Sequence, residues 1–184
     1  MSFWNEAQLE PKRNFRFKVE IAGFAGESVI WWAKTFKTPS YDISEATHDF
    51  MDNKYYFPGR LTWTDCTTTL VDPASPNAAK LTNKIILDAG YKIKDSTLND
   101  LGTMSKDKSV GQPNGATGTR SVKVTILNAE GEMVEEWELK NAWLKGVSFS
   151  DLSYEDDGLR TIDLTWRYDW AECTHGDKST QFKV

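Results

Sequence analysis

The clearest pattern in the chain lies between Leu159 and Cys173, where apolar and polar residues alternate. A strand sends successive side chains to opposite faces, so this alternation predicts one long strand with two different faces. One face would pack on the protein, and the other would meet water, a partner or a passing polymer. The predicted apolar face consists of Ile162, Leu164, Trp166, Tyr168 and Trp170.

Other segments also alternate or are rich in β-forming residues, and they predict further strands. A turn at Met51–Asn53 predicts a hairpin that ends at Pro58–Gly59, and the Gly131 region predicts a second hairpin. The predicted strands are Asn14–Ile21, Val29–Phe36, Tyr41–Phe50, Lys54–Phe57, Leu61–Val71, Ser121–Asn128, Met133–Lys140 and Ala142–Phe149.

One segment, Pro76–Ala89, has helical periodicity. Ser75 stands at the N-cap position, Pro76 at the first helical position, and Gly90 where a C-cap glycine would stand. The apolar residues at helical spacing would pack the helix on a sheet. They are Ala78, Leu81, Ile85 and Ala89.

The 184 residues are the right length for a single domain with a sizeable core. The pattern predicts a mainly β fold, a sandwich or barrel-like structure with one flanking helix and a long polar loop at 92–120. Residues 1–13 read as an arm, and Phe3 and Trp4 in it are expected to dock on a neighbouring subunit. The chain has no apolar run long enough for a membrane span and no apolar segment typical of a secretory signal at its start.

The net charge is −5, and the sequence pI is about 5.1. Tight nucleic-acid binding depends on an excess of basic surface, which this chain lacks. An acidic protein can still let nucleic acid slide past without holding it. The charge therefore favours passage of a polymer over its recognition.

The sequence contains none of the motifs for phosphate binding, nucleophilic hydrolysis or zinc binding. Cys173 and His175 could supply two metal ligands, but a metal site needs three or four. Cys66 with His48 has no signature of a nucleophile pair, and both thiols are expected to be buried and structural. We therefore predict no catalytic residues, no cofactor and no metal: the chain is not expected to be an enzyme.

Three segments together resemble the tail tube proteins of contractile-tailed bacteriophages. They are NFRFKVEI, then FKTPSYDISEATHDFMDNKYYFPGRLTWTDCTTTLVD, and finally ELKNAWLKGVSFSDLSYEDDGLRTIDLTWRYDWAEC. The resemblance covers roughly residues 14–90 and 121–173, and its motifs are diffuse patterns without catalytic signatures. The loop at 92–120 is longer than is usual in that family.

The resemblance implies a structural protein of the virion tail, assembled in the host cytoplasm into hexameric rings that stack as a tube. A tail sheath would surround the tube, and baseplate and tail terminator proteins would bind its ends. The tape measure protein and then viral DNA would occupy the lumen without sequence-specific binding. The residues implied in contacts between rings are Phe50, Met51, Tyr55, Tyr56, Phe3 and Trp4, and the implied lumen charges are Asp42, Glu45, Asp49 and Asp65.

Several alternatives stay open at this point. The hairpin at Tyr41–Phe57 could instead fold onto its own core, and the acidic residues could lie on an ordinary outer surface. The chain could also be a baseplate tube initiator, or the inner tube of a type VI secretion or related contractile injection system. A small monomeric β-barrel that binds a ligand in an enclosed apolar cavity is the alternative from another functional class.

Overall fold

The structure is a computed structural model that describes residues 11–21, 33–74, 78–91, 102–103, 121–155, 157–176 and 181–182. Several predicted features lie outside these residues. They are Phe3 and Trp4 with most of the arm, the first residues of the strand predicted at Val29–Phe36, the Ser75–Pro76 cap and nearly all of the loop at 92–120.

The described residues form eleven strands and one helix, which confirms the predicted mainly β fold with a single flanking helix. In chain order the elements are β1 Phe17–Ile21, β2 Ala33–Phe36, β3 Tyr41–Phe50, β4 Asn53–Trp63, β5 Cys66–Val71, α1 Ala78–Asp88, β6 Val122–Leu127, β7 Met133–Lys140, β8 Trp143–Phe149, β9 Thr161–Arg167, β10 Trp170–His175 and β11 Gln181–Phe182.

The strands form two larger sheets and one separate hairpin. The five-stranded sheet has the order β1-β6-β7-β10-β11, and the four-stranded sheet has the order β2-β5-β9-β8. Among the described strands, β3 and β4 pair only with each other, as a third sheet of two strands. All the strand pairs are antiparallel.

One hydrophobic cluster joins both larger sheets and the helix. Trp166 at its centre is fully buried, and its indole Nε1 donates a hydrogen bond to Thr68 Oγ1 at 3.2 Å. Large apolar side chains from both sheets surround it, so the core is the layer between the sheets. The fully buried apolar members include Leu70, Leu139, Ile162, Leu164, Val19 and Val122.

The prediction of one strand from Leu159 to Cys173 is wrong, because the chain changes sheets within it. Strand β9 ends at Arg167 in the four-stranded sheet, and β10 begins at Trp170 in the five-stranded sheet. At the break the Asp169 N–H donates to the Lys140 carbonyl of β7, which redirects the chain to the other sheet. The alternation of buried and exposed residues also shifts by one position at the break, so Ala171 is buried while Trp170 is only half-buried.

The predicted end of the first hairpin at Pro58–Gly59 is also wrong, since β4 runs through both residues to Trp63. Proline lacks the N–H of a central strand, but each strand of a two-stranded ribbon has one edge without a partner strand. A register shift next to Ser44 absorbs one extra residue of β4. A Cβ on Gly59 would lie 2.8 Å from the Ser44 carbonyl oxygen, so the bulge needs glycine there.

Two local predictions are confirmed by the structure. The β6–β7 hairpin turns through Gly131 at a φ of 82°. Helix α1 ends at Asp88, one residue before the predicted Ala89, and Gly90 caps it as expected with a φ of 99°. The Gly90 N–H donates to the Leu87 carbonyl and the Tyr91 N–H to the Ile86 carbonyl, which is the Schellman arrangement of a helix end.

Candidate assembly surface

The β3–β4 hairpin projects from the protein instead of folding onto the core. Every residue from 41 to 60 is exposed, and the strands stay paired from Tyr41–Trp63 at the root to Phe50–Asn53 at the tip. Four predicted contact residues lie on this hairpin with much apolar surface in solvent: Phe50 is 56% exposed, Met51 86%, Tyr55 48% and Tyr56 62%. A large exposed apolar patch is typical of an interaction surface.

The strand register divides these side chains between the two faces of the ribbon. Directly opposite residues share a face, so Tyr55 lies with His48, and Tyr56 lies with Thr47. Phe50 falls on the Tyr55 face because it is two residues from His48 along β3. A neighbour that covers one face of the hairpin would therefore leave the other face available to a second neighbour.

The tip residue Met51 has a positive φ of 54°. Glycine, asparagine and aspartate are the usual residues in this left-handed conformation, and other residues cost roughly 1–2 kcal/mol there. Met51 is thus unfavourable for the turn and unfavourable for exposure to water. Such a local conflict is expected where a residue serves a contact outside its own chain.

The root of the hairpin is anchored in the core by Trp63, which is buried at 6% exposure. Its ring meets the edge of Tyr41 at a centroid distance of 5.2 Å and lies 5.8 Å from the ring of Tyr168. The Thr64 N–H donates to the Ser40 carbonyl at 2.9 Å. These contacts fix where the two strands leave the body of the protein.

Asp65 forms ion pairs beside this root. Its carboxylate accepts hydrogen bonds from Lys145 at 2.6 Å and from Arg167 at 2.9 Å. These two hydrogen bonds hold the pKa of Asp65 below its ordinary value. Arg167 also donates to the Trp63 carbonyl at 3.0 Å, so the cluster ties the hairpin root to β8 and β9. The Asp65 charge is thus matched by cations of its own chain.

The other three predicted lumen charges lie on the hairpin and are exposed. Glu45 and Asp49 are four residues apart on β3 and therefore share a face, whereas Asp42 lies at an odd spacing from both. The Asp49 carboxylate is 3.8 Å from Lys54 Nζ across the strands. A surface charge pair of this kind contributes little to stability, so these acids remain available for other roles.

The thiols are placed as structural groups. Cys66 and Cys173 are both buried and reduced, and burial raises the pKa of each thiol to about 11.

Cys173 Sγ lies 3.9 Å from His175 Nε2. Among the described residues there is no cluster of three or more groups that could hold a metal ion. In that same part of the chain, no helix is long and apolar enough to cross a bilayer.

The structure contains a basic cleft that the sequence did not predict. It lies between β2 and the strands β1, β6 and β7 of the five-stranded sheet. It brings Lys12 and Arg13 together with Lys34 and with Glu135, which follows them by more than 100 residues. No local sequence motif predicts this cleft, because its lining residues come together only when distant strands pair.

Neither a protein-family model nor a curated protein matches the sequence. Solved structures do match over nearly the whole chain. A chain of the anti-feeding prophage baseplate has a TM-score of 0.63 at 14% identity, with 92% of this chain and 99% of that chain covered. A chain of the sheath–tube complex of an extracellular contractile injection system has a TM-score of 0.59 at 17% identity, covering 95% and 99%. A chain of the anti-feeding prophage tube-terminating cap has a TM-score of 0.57 at 18% identity, covering 92% and 95%. The resemblance seen in the sequence is therefore confirmed at the level of the fold: this chain has the fold of the tube, baseplate and cap subunits of contractile tails and injection systems.

Proposed function

We propose that this chain is a structural tube subunit of a contractile tail, which forms stacked hexameric rings around a lumen and catalyses no reaction. The observation that carries the proposal is the projecting hairpin, whose exposed apolar tip is costly in a solitary protein. Burial of the hairpin against another ring would remove that cost, because each fully buried apolar side chain contributes roughly 1.5–3 kcal/mol. Phe50, Met51, Tyr55 and Tyr56 are the proposed contacts, and Phe3 and Trp4 of the arm are proposed to join them.

Ring formation is supported by the sheet edges. Strand β2 ends the four-stranded sheet on one side and β8 ends it on the other. Edge strands expose N–H and C=O groups that invite pairing, and closing sheets around a ring satisfies them. One matched structure is a baseplate described with six-fold symmetry. A six-membered ring is the assembly that we propose for this chain.

The lumen is proposed to be acidic and to conduct viral DNA after the tape measure protein leaves. Exposed Asp42, Glu45 and Asp49 are the proposed lumen charges, and their carboxylates would repel phosphates so that DNA slides without binding. Asp65 contributes least to this field because Lys145 and Arg167 neutralise it. A sheath outside and terminator and baseplate proteins at the ends are the proposed partners, in a virion tail assembled in the host cytoplasm.

A baseplate tube initiator is the second proposal, favoured by the match to a baseplate chain over 92% of this chain. An initiator would occupy one end of the tube, whereas a tube subunit would occupy its whole length. Labelling the chain with a small tag and imaging whole particles separates these roles. Label along the length supports the tube subunit, and label at one end only supports the initiator.

Sedimentation velocity over a range of concentrations, with negative-stain microscopy of the same samples, tests the main proposal. We expect ring-shaped particles with six-fold averages that give way to longer tubes as concentration rises. A monomer at every concentration would overturn the proposal and favour a monomeric binding protein. The inner tube of an injection system would give the same rings, and the cargo found in native particles would distinguish it from a phage tube.

A further inference from the structure

The basic cleft is an open cavity of about 600 Å³ beside β2. Half-buried Phe17, Phe36 and Trp137 give it apolar walls. A volume of this size is within the range that holds a small ligand or several side chains. The cleft therefore has room for an inserted segment with apolar groups.

Its charge is strongly one-sided. Lys12, Arg13 and Lys34 line it, and Glu135 supplies the one carboxylate among its described lining residues. Burial by itself would raise the pKa of Glu135, but hydrogen bonds from Lys12 and Trp137 outweigh burial and lower it. The ionised Glu135 thus balances Lys12 alone. The positive charge of Arg13 and Lys34 comes in addition, and it favours an acidic occupant.

The loop between β8 and β9 has the complementary chemistry. Leu152 is 80% exposed and Tyr154 is fully exposed, so both project into solvent. Asp151, Glu155 and Asp157 flank them and are exposed as well. An apolar pair framed by carboxylates matches apolar walls framed by cations.

The strand pairing places the cleft and this loop at opposite edges of one sheet. β2 and β8 are the two outer strands, and the loop leaves β8 at Phe149, which pairs with Ile162. Ile162 pairs with Leu70, and Leu70 pairs with Ala33 at the start of β2. The cleft lies at the other edge, where Lys34, Thr35 and Phe36 of β2 line it. A loop at one edge and a cleft at the other suit a head-to-tail contact between copies.

We propose that the acidic β8–β9 loop of one copy inserts into the basic cleft of the next copy in the assembly. Leu152 and Tyr154 enter between the apolar walls, and the acidic residues meet Arg13 and Lys34 at the rim. This contact is heterologous, so it sets a direction around the ring or along the stack. It rests on the proposed function, because it requires that copies of the chain assemble.

Engineered cysteines test the contact directly. Subunits with Lys34→Cys and subunits with Tyr154→Cys are mixed, assembled and treated with a bifunctional maleimide. Both positions are exposed and both native cysteines are buried, so the native thiols contribute no background. We expect covalent dimers from the mixture and none from either variant alone. The matched control replaces Lys34→Cys by Lys84→Cys, an exposed lysine on α1, and gives no dimers.

Charge reversal gives an independent measurement. Lys34→Glu is expected to raise the concentration needed for assembly at least tenfold, and adding Asp157→Lys in the same chain is expected to restore most of the loss. Lys84→Glu is the matched control and leaves assembly unchanged. Melting temperatures of the variant monomers verify that each folds, as expected for exposed side chains.

The outcomes separate the two proposals. A wild-type protein that stays monomeric overturns this inference together with the proposed function. A wild type that assembles while the Lys34 and Tyr154 cysteines give no dimers overturns this inference alone. Dimers from Tyr154→Cys alone would mean a symmetric loop-to-loop contact, and a cleft filled by residues 1–10 of its own chain would block the cross-link; either result overturns it.

Discussion

Replacing Met51 separates the stability of the subunit from the stability of the assembly. At a φ of 54° methionine costs roughly 1–2 kcal/mol that glycine does not, so Met51→Gly removes strain from the turn. Allowing for the greater freedom of glycine in the unfolded chain, the net gain is about 1 kcal/mol. For a chain of this length that raises the melting temperature of the monomer by about 2–4 °C.

The same substitution weakens stacking. Met51 has 86% of its surface exposed, and burying most of a methionine side chain against a neighbour contributes about 2 kcal/mol. Six such contacts in the proposed ring add up to about 12 kcal/mol, which is enough to shift a stack to free rings. Met51→Asp has a larger effect because it also brings a charge into the contact, while aspartate tolerates the left-handed turn.

Differential scanning fluorimetry measures the monomer, and sedimentation with negative-stain microscopy measures the tubes. Met133→Asp is the matched control, because it makes the same change at the start of β7, outside the proposed contact. We expect it to leave tube length unchanged. Tubes of normal length from Met51→Asp would refute the reasoning, as would a Met51→Gly monomer that melts lower than the wild type.

Further predictions concern the body of the protein. Trp166→Ala should lower the free energy of unfolding by about 3–5 kcal/mol in urea titrations, because the ring is fully buried; a loss much below 1 kcal/mol would contradict its central place. Gly59→Ala should disrupt the hairpin bulge and shorten tubes while the core melts normally, checked by microscopy and calorimetry. Cys66 and Cys173 should react with a thiol reagent at pH 8 about 100-fold more slowly in the folded protein than in urea, given a thiol pKa of about 11; rapid labelling of the folded protein would contradict their burial. Asp65→Asn should lower the free energy of unfolding above about pH 4, because the ordinary carboxyl pKa is 3.8. The difference between variant and wild type should vanish as the pH falls through the lowered pKa of Asp65 in the folded protein. An equal difference at all pH values would mean that the ion pairs are not its cause.

The sequence was sufficient to predict the elements whose structure depends on neighbouring residues alone. The cap of α1 at Gly90 follows from the conformational freedom of glycine, and the β6–β7 hairpin follows from its turn at Gly131. The apolar face of β9 follows from alternation, and Ile162, Leu164 and Trp166 are indeed buried. These features need no knowledge of distant residues.

Features that depend on distant partners could not be read from the sequence. The change of sheet after Tyr168 rests on the Lys140 carbonyl, and nothing in the alternation near Asp169 reveals that partner. Asp65 was predicted to be a lumen charge, but Lys145 and Arg167, which are 80 and 102 residues away in the sequence, donate hydrogen bonds to its carboxylate. The same holds for the basic cleft, where Lys12 meets Glu135 across 123 residues.

The central claim is that identical copies complete the exposed surfaces of this fold. A high-resolution cryo-electron microscopy map of assemblies grown from the purified chain tests it most directly. The account predicts stacked six-membered rings in which the tip of the β3–β4 hairpin is buried against the next ring. A map of isolated subunits, or of rings whose hairpin tips point into solvent away from every neighbour, would contradict it.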